Sequence, residues 1–202
     1  MPLTDPRRLV PAGVRTEEFL LRPIRAADAA RDFDAVVETR ADLRVWEQSS
    51  WPDDDFTVEA NRQDLEELER RYLERRAFTY TVLAPDEDEC LGCVYLFPIS
   101  ARFLERATVT PLVEGADWAE VDAVVYFWVR SSRVASDLDV RLLDGIRRWL
   151  DADWGLVHVV FVTREQFRRQ VDVLAGAGMR AMFALREPDK AGRYLVYADP
   201  PA

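Results

Sequence analysis

The chain has 202 residues, of which 49% are hydrophobic and 32% charged, which is typical of a soluble globular protein. One domain with a single core accounts for this length. The longest uncharged apolar run, near residues 123–129, is far shorter than the roughly 20 residues of a membrane-spanning helix. A net charge of −10 argues against nucleic acid as a partner, because Lys and Arg at phosphates supply that affinity. The acidity either attracts cations such as amines or only maintains solubility.

The first 16 residues combine Pro, Arg and polar side chains without periodicity. This composition predicts a flexible N-terminal arm over residues 1–16, followed by one domain over residues 17–202. The arm has no apolar segment followed by a small-residue cleavage site, so we expect a cytoplasmic protein.

Hydrophobic patterns in the first half predict a strand at 19–25 and a helix at 29–39. Residues 40–56 look like a loop. An amphipathic helix is predicted at 58–76, because Leu65, Leu68 and Tyr72 share one face. Two alternating runs, 78–84 and 91–99, flank the turn sequence PDEDE and predict a hairpin. Residues 100–119 are irregular, with room for one short strand.

The second half predicts a central strand at 120–130, a helix at 137–150 and a buried strand at 156–162. A capping box at Thr163 and Gln166 predicts the start of a last helix, which ends at Gly176 and Gly178. A hairpin of strands 179–185 and 193–198 closes the chain. The predicted fold class is therefore α+β with a mixed sheet, about seven strands and four helices.

The cysteines and the histidine do not predict a metal site or a hydrolase. Cys90 and Cys93 lack the two further ligands that a zinc site requires. They also lie in a predicted strand, where residues three apart point to opposite faces. His158 lies in an apolar run and is predicted to be a strand residue near the core. No Ser or Cys nucleophile is near it in sequence, so no catalytic triad is indicated.

The order of these elements resembles the GNAT superfamily of acyl-CoA-dependent N-acyltransferases over about residues 18–198. FLLRPIRAADA resembles the opening of the branch that acetylates ribosomal proteins and small amines. LGCVYLFPI and YFWVR resemble its third and fourth strands, and VLAGAGM the end of its fourth helix. The resemblance implies central strands splayed around a cofactor cleft, with acetyl-CoA as co-substrate. It also implies transfer of an acetyl group to an amine of a small molecule or to a protein N-terminus.

The segment 121–150 runs from a strand through a loop into a helix, and a helix N-terminus favours an anion. In the family this loop holds a pyrophosphate through Arg/Gln-x-x-Gly-x-Gly/Ala, and the two glycine positions fall on Asp137 and Asp139. Ser136 and Asp139 match a capping box, so a plain helix cap without ligand is the alternative. The resemblance implies cofactor contacts at Trp128, Val129, Arg130, Ser131, Arg133, Ala135, Ser136, Asp137 and Leu138.

The catalytic candidates lie in the predicted central strand. The family often uses a Tyr on its fourth helix as the acid that reprotonates the leaving thiolate, but Leu174 occupies that position. Tyr126 is a possible substitute, and its alternative is a core residue. Glu120 or Asp122 is the candidate general base, and the alternative is that both are solvent-facing strand ends.

In the family, substrates enter between the first two helices and the later hairpins, so the resemblance implies an acceptor site at residues 46–56. Trp46 and Trp51 would form apolar walls, and Asp53 and Asp54 would attract a cation. The alternatives are a solvated loop or a homodimer contact. Because both glycines and the family Tyr are replaced, a second hypothesis is a catalytically degenerate GNAT-fold protein that binds a ligand or a protein. A third is a GNAT-fold enzyme with other acyl-CoA chemistry.

Overall fold

Nine strands form one mixed sheet in the computed structural model, which describes residues 3–4 and 7–200. Their order across the sheet is β1-β2-β3-β4-β6-β7-β9-β8-β5, and among these strands only β6 and β7 are parallel neighbours. The strands are β1 (Val14–Arg15), β2 (Leu20–Pro23), β3 (Phe78–Leu83), β4 (Cys90–Phe97), β5 (Thr108–Pro111), β6 (Ala123–Val129), β7 (Val159–Arg164), β8 (Arg180–Arg186) and β9 (Tyr194–Ala198).

Seven α-helices accompany the sheet in the described residues, and none is long and apolar enough to cross a membrane. Short 3-10 turns precede α1 and β6, and a π-helical turn follows α6. The helices are α1 (Ala29–Glu38), α2 (Arg40–Glu47), α3 (Val58–Leu73), α4 (Arg102–Glu105), α5 (Ser131–Val134), α6 (Leu138–Trp149) and α7 (Arg168–Gly176).

Strand β6 separates two apolar cores, because its side chains alternate between the two faces of the sheet. Val124, Tyr126 and Trp128 pack in the core that contains residues of α1 and α2. Ala123, Val125, Phe127 and Val129 pack in the core that contains residues of α6 and α7. All seven residues of β6 are buried. The strand is therefore central in the fold, as its sequence predicts.

The most important feature of the sheet is that β6 and β7 diverge. They pair only from Ala123 opposite Val159 to Val125 opposite Phe161. Beyond that point β6 stays paired with β4 as far as Val129, and β7 stays paired with β9 as far as Arg164. Each strand follows its outer neighbour, so a gap opens between them from Tyr126 onward. The predicted splay of the central strands is thus present.

The predicted α+β class with a mixed sheet is confirmed, but seven strands and four helices are too few. Helix α2 lies in the stretch predicted as a loop, because Leu43 and Trp46, three residues apart, bury one face of a short helix. The capping box at Thr163 is also wrong. Thr163 is fully buried in β7 opposite Leu195, and α7 begins only at Arg168.

Part of the predicted flexible arm is held against the sheet. Val14 and Arg15 pair with β2, and the Tyr80 hydroxyl donates a hydrogen bond of 2.7 Å to the Pro11 carbonyl. Leu3 is buried. Residues 1–2 and 5–6 of that arm lie outside the described residues.

A β-bulge at the start of β4 changes which way its cysteines point. Leu83 pairs with Cys90 and Val82 with Gly92, so Leu91 is an extra residue in the strand. Cys90 and Cys93 therefore both pack in the core that contains α1 residues. The prediction that they point to opposite faces is wrong, because the bulge adds one residue between them.

Gly92 makes the bulge possible, and its replacement by Ala tests this. Its φ is +153°, and an added Cβ would lie 2.1 Å from the Trp128 carbonyl oxygen. We expect Gly92→Ala to lower the free energy of unfolding by roughly 2 to 4 kcal/mol, measured by urea denaturation. In the control Gly176→Ala, the added Cβ has no atom within 4 Å, so a change below about 1 kcal/mol is expected. Equal losses for the two variants would contradict the close approach at Gly92.

Candidate functional site

Tyr126 is the first residue of β6 beyond the paired segment, and it lies in a group of aromatic rings. Its ring is 6.0 Å from that of Trp46 and 6.4 Å from that of Tyr194. The Tyr126 hydroxyl and Trp46 Nε1 are buried and have no hydrogen-bond partner. Buried polar atoms are rarely left unpaired, so these two point to a ligand. We call the group the aromatic cluster; it consists of Trp46, Tyr95, Phe97, Phe103, Tyr126 and Tyr194.

The charges of two glutamates act on the Tyr126 hydroxyl. Burial raises the pKa of Tyr126 well above its usual value, and the negative charges of Glu187 and Glu47 raise it further. Burial also raises the pKa of Glu187, which is partly opposed by the charge of Lys190. Lys190 Nζ donates to Glu47 Oε1 at 2.8 Å, whereas the Glu187 carboxylate has no ion pair within the described residues. Glu187 is therefore a half-buried carboxylate free to accept a proton.

Gln170 of α7 closes the opposite side of the gap. Its Nε2 donates a hydrogen bond of 2.7 Å to the Phe127 carbonyl, in the stretch where β6 has no partner strand beside β7. Gln170 Oε1 and Thr163 Oγ1 are buried without a partner. The cavity that remains here has about 20 Å³, which accommodates one water molecule. The gap is thus narrow, and it is lined by polar atoms that lack hydrogen-bond partners.

The loop after β6 receives carboxylate and hydroxyl acceptors from the junction of α1 and α2. The N–H of Ser131 donates to Thr39 Oγ1 at 3.1 Å, and the N–H of Ser132 donates to Glu38 Oε1 at 2.9 Å. Arg130 Nε donates to Glu38 Oε2 at 2.5 Å. Burial alone would raise the pKa of Glu38, but the hydrogen bonds from Ser132 and Arg130 hold it below its usual value. Glu38 is thus an anion that the protein itself places on this loop.

Asp137 and Asp139 bind Arg169 at the start of α7. Arg169 Nε donates to Asp139 Oδ2 at 2.7 Å, and Nη2 donates to Asp139 Oδ1 at 2.7 Å and to Asp137 Oδ1 at 2.8 Å. The predicted capping box is wrong: the Ser136 hydroxyl donates to the Arg133 carbonyl, and Asp137 is an N-cap without a side-chain bond. Both carboxylates bind Arg169, and Asp139 Oδ1 also accepts a hydrogen bond of 3.0 Å from the Val140 N–H.

The arginines of the loop after β6 are paired within the protein. Arg130 and Arg133 both pair with Glu89, so each arginine expected at a phosphate already has a carboxylate partner. The ion pairs of Arg130, Arg133 and Arg169 join these three guanidinium groups to four carboxylates, which leaves one negative charge in excess among them. A diphosphate does not fit this environment.

The other residues predicted at the cofactor loop have ordinary structural surroundings. Trp128 and Val129 are buried in β6, and Trp128 Nε1 donates to the Tyr95 hydroxyl at 3.2 Å. Leu138 is a core residue of α6. Ala135 is exposed in the turn before α6.

The predicted bases lie at the far end of β6. Glu120 is exposed in a 3-10 turn, and Asp122 Oδ2 accepts hydrogen bonds of 2.9 Å from the N–H groups of Val157 and His158. At about 3.3 Å per residue, Asp122 is roughly 13 Å along the strand from Tyr126. The structure does not bring either residue to the gap. His158, predicted to be near the core, is exposed because β7 begins only at Val159.

A surface groove of about 700 Å³ lies at that same far end and includes Glu120 and His158. Among the described residues, none that lines this groove has an unpaired buried side-chain polar atom. The gap beside Tyr126 therefore carries the stronger evidence for a ligand.

Of the predicted acceptor residues, only Trp46 lies in the aromatic cluster. Trp51 Nε1 donates to Asp64 at 3.3 Å, and Asp54 pairs with Arg44 at 2.7 Å, so both contact the helices beside them. The Asp53 side chain is exposed in the turn that precedes Phe56. Glu187, Tyr194 and Gln170 were not predicted, because each reaches the gap from a distant part of the chain and belongs to no motif.

No model of a known protein family matches the sequence, and no curated protein matches it. Solved structures do match. The ribosomal-protein-S5-alanine acetyltransferase from Vibrio fischeri has a TM-score of 0.66 at 18% identity over 92% of this chain and 94% of that chain. RimJ from Mycobacterium smegmatis, in complex with CoA-disulfide, has a TM-score of 0.66 at 20% identity over 93% and 82%.

A third match is the microcin C7 self immunity acetyltransferase MccE in complex with acetyl-CoA and AMP. Its TM-score is 0.67 at 12% identity, over 94% of this chain and 96% of that chain. These values, together with the diverging central strands, decide the architecture. The chain has the GNAT fold. In this GNAT-fold protein the gap between β6 and β7 is retained, and the loop beside it is occupied by the protein's own carboxylates.

A buried polar group behind β4 lies outside the gap. Asp32 Oδ2 accepts a hydrogen bond of 3.0 Å from Asn61, and Oδ1 accepts from the thiols of Cys90 and Cys93 at 3.7 Å each. Burial raises the pKa of Asp32 to about 6. Burial also raises the pKa of both thiols, which keeps them protonated and unreactive at neutral pH. The group thus anchors α1 to β4.

Asp32 should make stability depend on pH. Its pKa is about 6 when folded and about 3.9 when unfolded, so the folded state binds the proton more tightly. The stabilisation contributed by protonated Asp32 is therefore complete below about pH 4. It is lost as pH rises through 6, which lowers the free energy of unfolding by about 3 kcal/mol. We expect Asp32→Asn to remove this decline, measured by urea denaturation at pH 4 and pH 7.5. The control Asp34→Asn changes an exposed carboxylate of the same helix and should keep the wild-type decline. Identical pH dependence in wild type and Asp32→Asn would contradict the burial of a titrating carboxyl group.

Proposed function

We propose that the chain is an N-acetyltransferase that transfers an acetyl group from a thioester to an amine. The observation that carries this proposal is the buried, unpaired hydroxyl of Tyr126, at the point where β6 and β7 separate. The fold supports it, since the matched structures are described as acetyltransferases. The acceptor is an amine of a small molecule or a protein N-terminus.

The aromatic cluster and its acidic border suit an amine. Phe97 and Phe103 are half-buried at the rim, where an acceptor enters. Aromatic faces attract an ammonium group, and the charges of Glu47 and Glu187 add to that attraction. Glu187 removes the ammonium proton, directly or through water. Burial raises the pKa of Glu187 toward neutral pH, and a general base is more effective when its pKa is near the pH at which it works.

The groups in the gap handle the thioester and its leaving group. Gln170 Oε1 accepts a hydrogen bond from a donor amide, which satisfies an atom that is otherwise unpaired. When bound, the donor supplies an activated carbonyl carbon. As the new C–N bond forms and the C–S bond breaks, Tyr126 donates its hydroxyl proton to the departing thiolate. It then takes up the second proton that the amine nitrogen loses, which restores the Tyr126 hydroxyl. The raised pKa of Tyr126 keeps that proton in place until then.

A second candidate function is a binding module without transfer activity. The occupation of the loop by Glu38 and of the α6 N-terminus by Arg169 favours it. The two candidates differ in turnover with acetyl-CoA and a panel of amines that includes N-terminal peptides and polyamines. Release of free thiol with any amine supports the transferase, and its absence with every amine supports the module.

Replacing Tyr126 by Phe removes the proton donor and leaves the ring contacts. We expect kcat for thiol release to fall about 100-fold with little change in KM, because general acid catalysis is lost. The control Tyr197→Phe removes a hydroxyl from β9 on the α6 and α7 side of the sheet and should keep kcat. Unchanged kcat in Tyr126→Phe would remove Tyr126 from the mechanism.

Replacing Glu187 by Gln removes the proposed base. In the wild type, kcat/KM should rise as pH rises through the pKa of Glu187, which lies above the usual glutamate value. We expect Glu187→Gln to lower kcat/KM and to abolish this acidic limb, measured as a pH–rate profile between pH 4 and 9. If Glu187→Gln keeps the acidic limb of the wild-type pH–rate profile, another group accepts the proton.

A further inference from the structure

We infer that the chain recognises its thioester donor by the pantetheine arm and not by the diphosphate of CoA. This inference rests on the proposed function and deepens it. It starts from the loop after β6, where the backbone N–H groups of Ser131 and Ser132 face acceptors from the α1–α2 junction. The Glu38 carboxylate accepts from both the Ser132 N–H and the Arg130 guanidinium, which is how a bound phosphate would be held.

The arginines near the loop likewise form ion pairs with carboxylates of the protein. Glu89 pairs with Arg130 and with Arg133. Arg130 is largely shielded, with 16% of its side chain exposed. A diphosphate could use these cations only by displacing carboxylates that would remain close by. Such an exchange removes protein ion pairs and adds repulsion.

The carboxylates at the N-terminus of α6 are likewise paired within the protein. Asp139 is 7% exposed, and Arg169 binds both of its oxygens. Bidentate pairs of this kind have fixed geometry and are among the stronger hydrogen-bonded contacts. Asp137, with 65% of its side chain exposed, adds a second carboxylate facing solvent at this helix end. An incoming diphosphate would meet this carboxylate before it reached any backbone donor.

The gap itself has the opposite character. Gln170 Oε1 and Thr163 Oγ1 are unpaired, and β6 lacks a partner strand beside β7 after Val125. A pantetheine arm offers two amides and no charge, so it satisfies such groups without repulsion. Rotation of the Gln170 side chain would free the Phe127 carbonyl and widen the gap. The unpaired groups of the gap thus match the amides of the arm, which enters once the gap widens beyond its volume of about 20 Å³.

Calorimetry of the full chain with three probes tests this inference. The probes are acetyl-CoA, S-acetyl-pantetheine and adenosine 3′,5′-diphosphate. We expect the first two to bind with Kd values within about threefold of each other, and the third to give no heat at millimolar concentration. Raising the salt concentration should leave the Kd of acetyl-CoA unchanged or improve it, because screening weakens the repulsion.

Two variants separate repulsion from misfolding. Glu38→Gln keeps the side-chain length, and Asp137→Gly suits the positive φ of 57° at that position. Each should tighten acetyl-CoA about tenfold at low salt and leave S-acetyl-pantetheine unchanged, so the second probe reports an intact site. The control Glu66→Gln makes the same charge change at an exposed position of α3 and should alter neither Kd.

The outcomes distinguish this inference from the proposed function. Acetyl-CoA that binds at least about 30-fold tighter than S-acetyl-pantetheine, or measurable binding of adenosine 3′,5′-diphosphate, would overturn the inference and leave the transferase proposal standing. Acetyl-CoA affinity that stays the same in both variants would also overturn it. Binding of neither thioester would overturn the transferase proposal, and this inference with it.

Discussion

The divergence of β6 and β7 is the constraint on which the rest of the site depends. Each strand keeps its outer partner, β4 or β9, so the two separate as soon as Val125 and Phe161 are passed. Separation exposes backbone groups in the middle of a sheet, which must find partners. Gln170 Nε2 is the partner of the Phe127 carbonyl, while Gln170 Oε1 and Thr163 Oγ1 stay unpaired beside it. The aromatic cluster on one face and α7 on the other then define what that ligand meets.

Charge decides how the two ends of the gap differ. At the loop, carboxylates of α1, of α6 and of the turn before β4 neutralise the arginines and the free N–H groups. At the aromatic cluster, Glu187 remains without an ion pair among the described residues and lies in a partly desolvated position. The protein thus satisfies its anion-binding elements internally and leaves unpaired groups where an uncharged arm and an amine would meet.

Periodic burial explains what could be predicted from the sequence. Helices α3 and α6 carry apolar residues at helical spacing, and the strands β6 and β7 are largely continuous apolar runs, so their positions follow from pattern alone. The contacts that define the site do not. Glu38 and Ser132 are 94 residues apart, and Gln170 and Phe127 are 43 apart. Such pairs depend on how the helices dock, and the bulge at Leu91 likewise depends on pairing with β3.

The buried anchor of α1 adds a mechanical consequence. Asp32, fixed to Asn61 and to two thiols, lies six residues before Glu38 on the same helix, which is about 9 Å along its axis. Glu38 is therefore the last residue of a short helix that is anchored in the core through Asp32. Moving the Glu38 carboxylate away from the loop by backbone motion would tilt α1 and strain the hydrogen bonds of Asp32. The hydrogen bonds from the loop to Glu38 therefore depend on how α1 is anchored in the core. A change of the Glu38 rotamer is the way to break them without moving the helix.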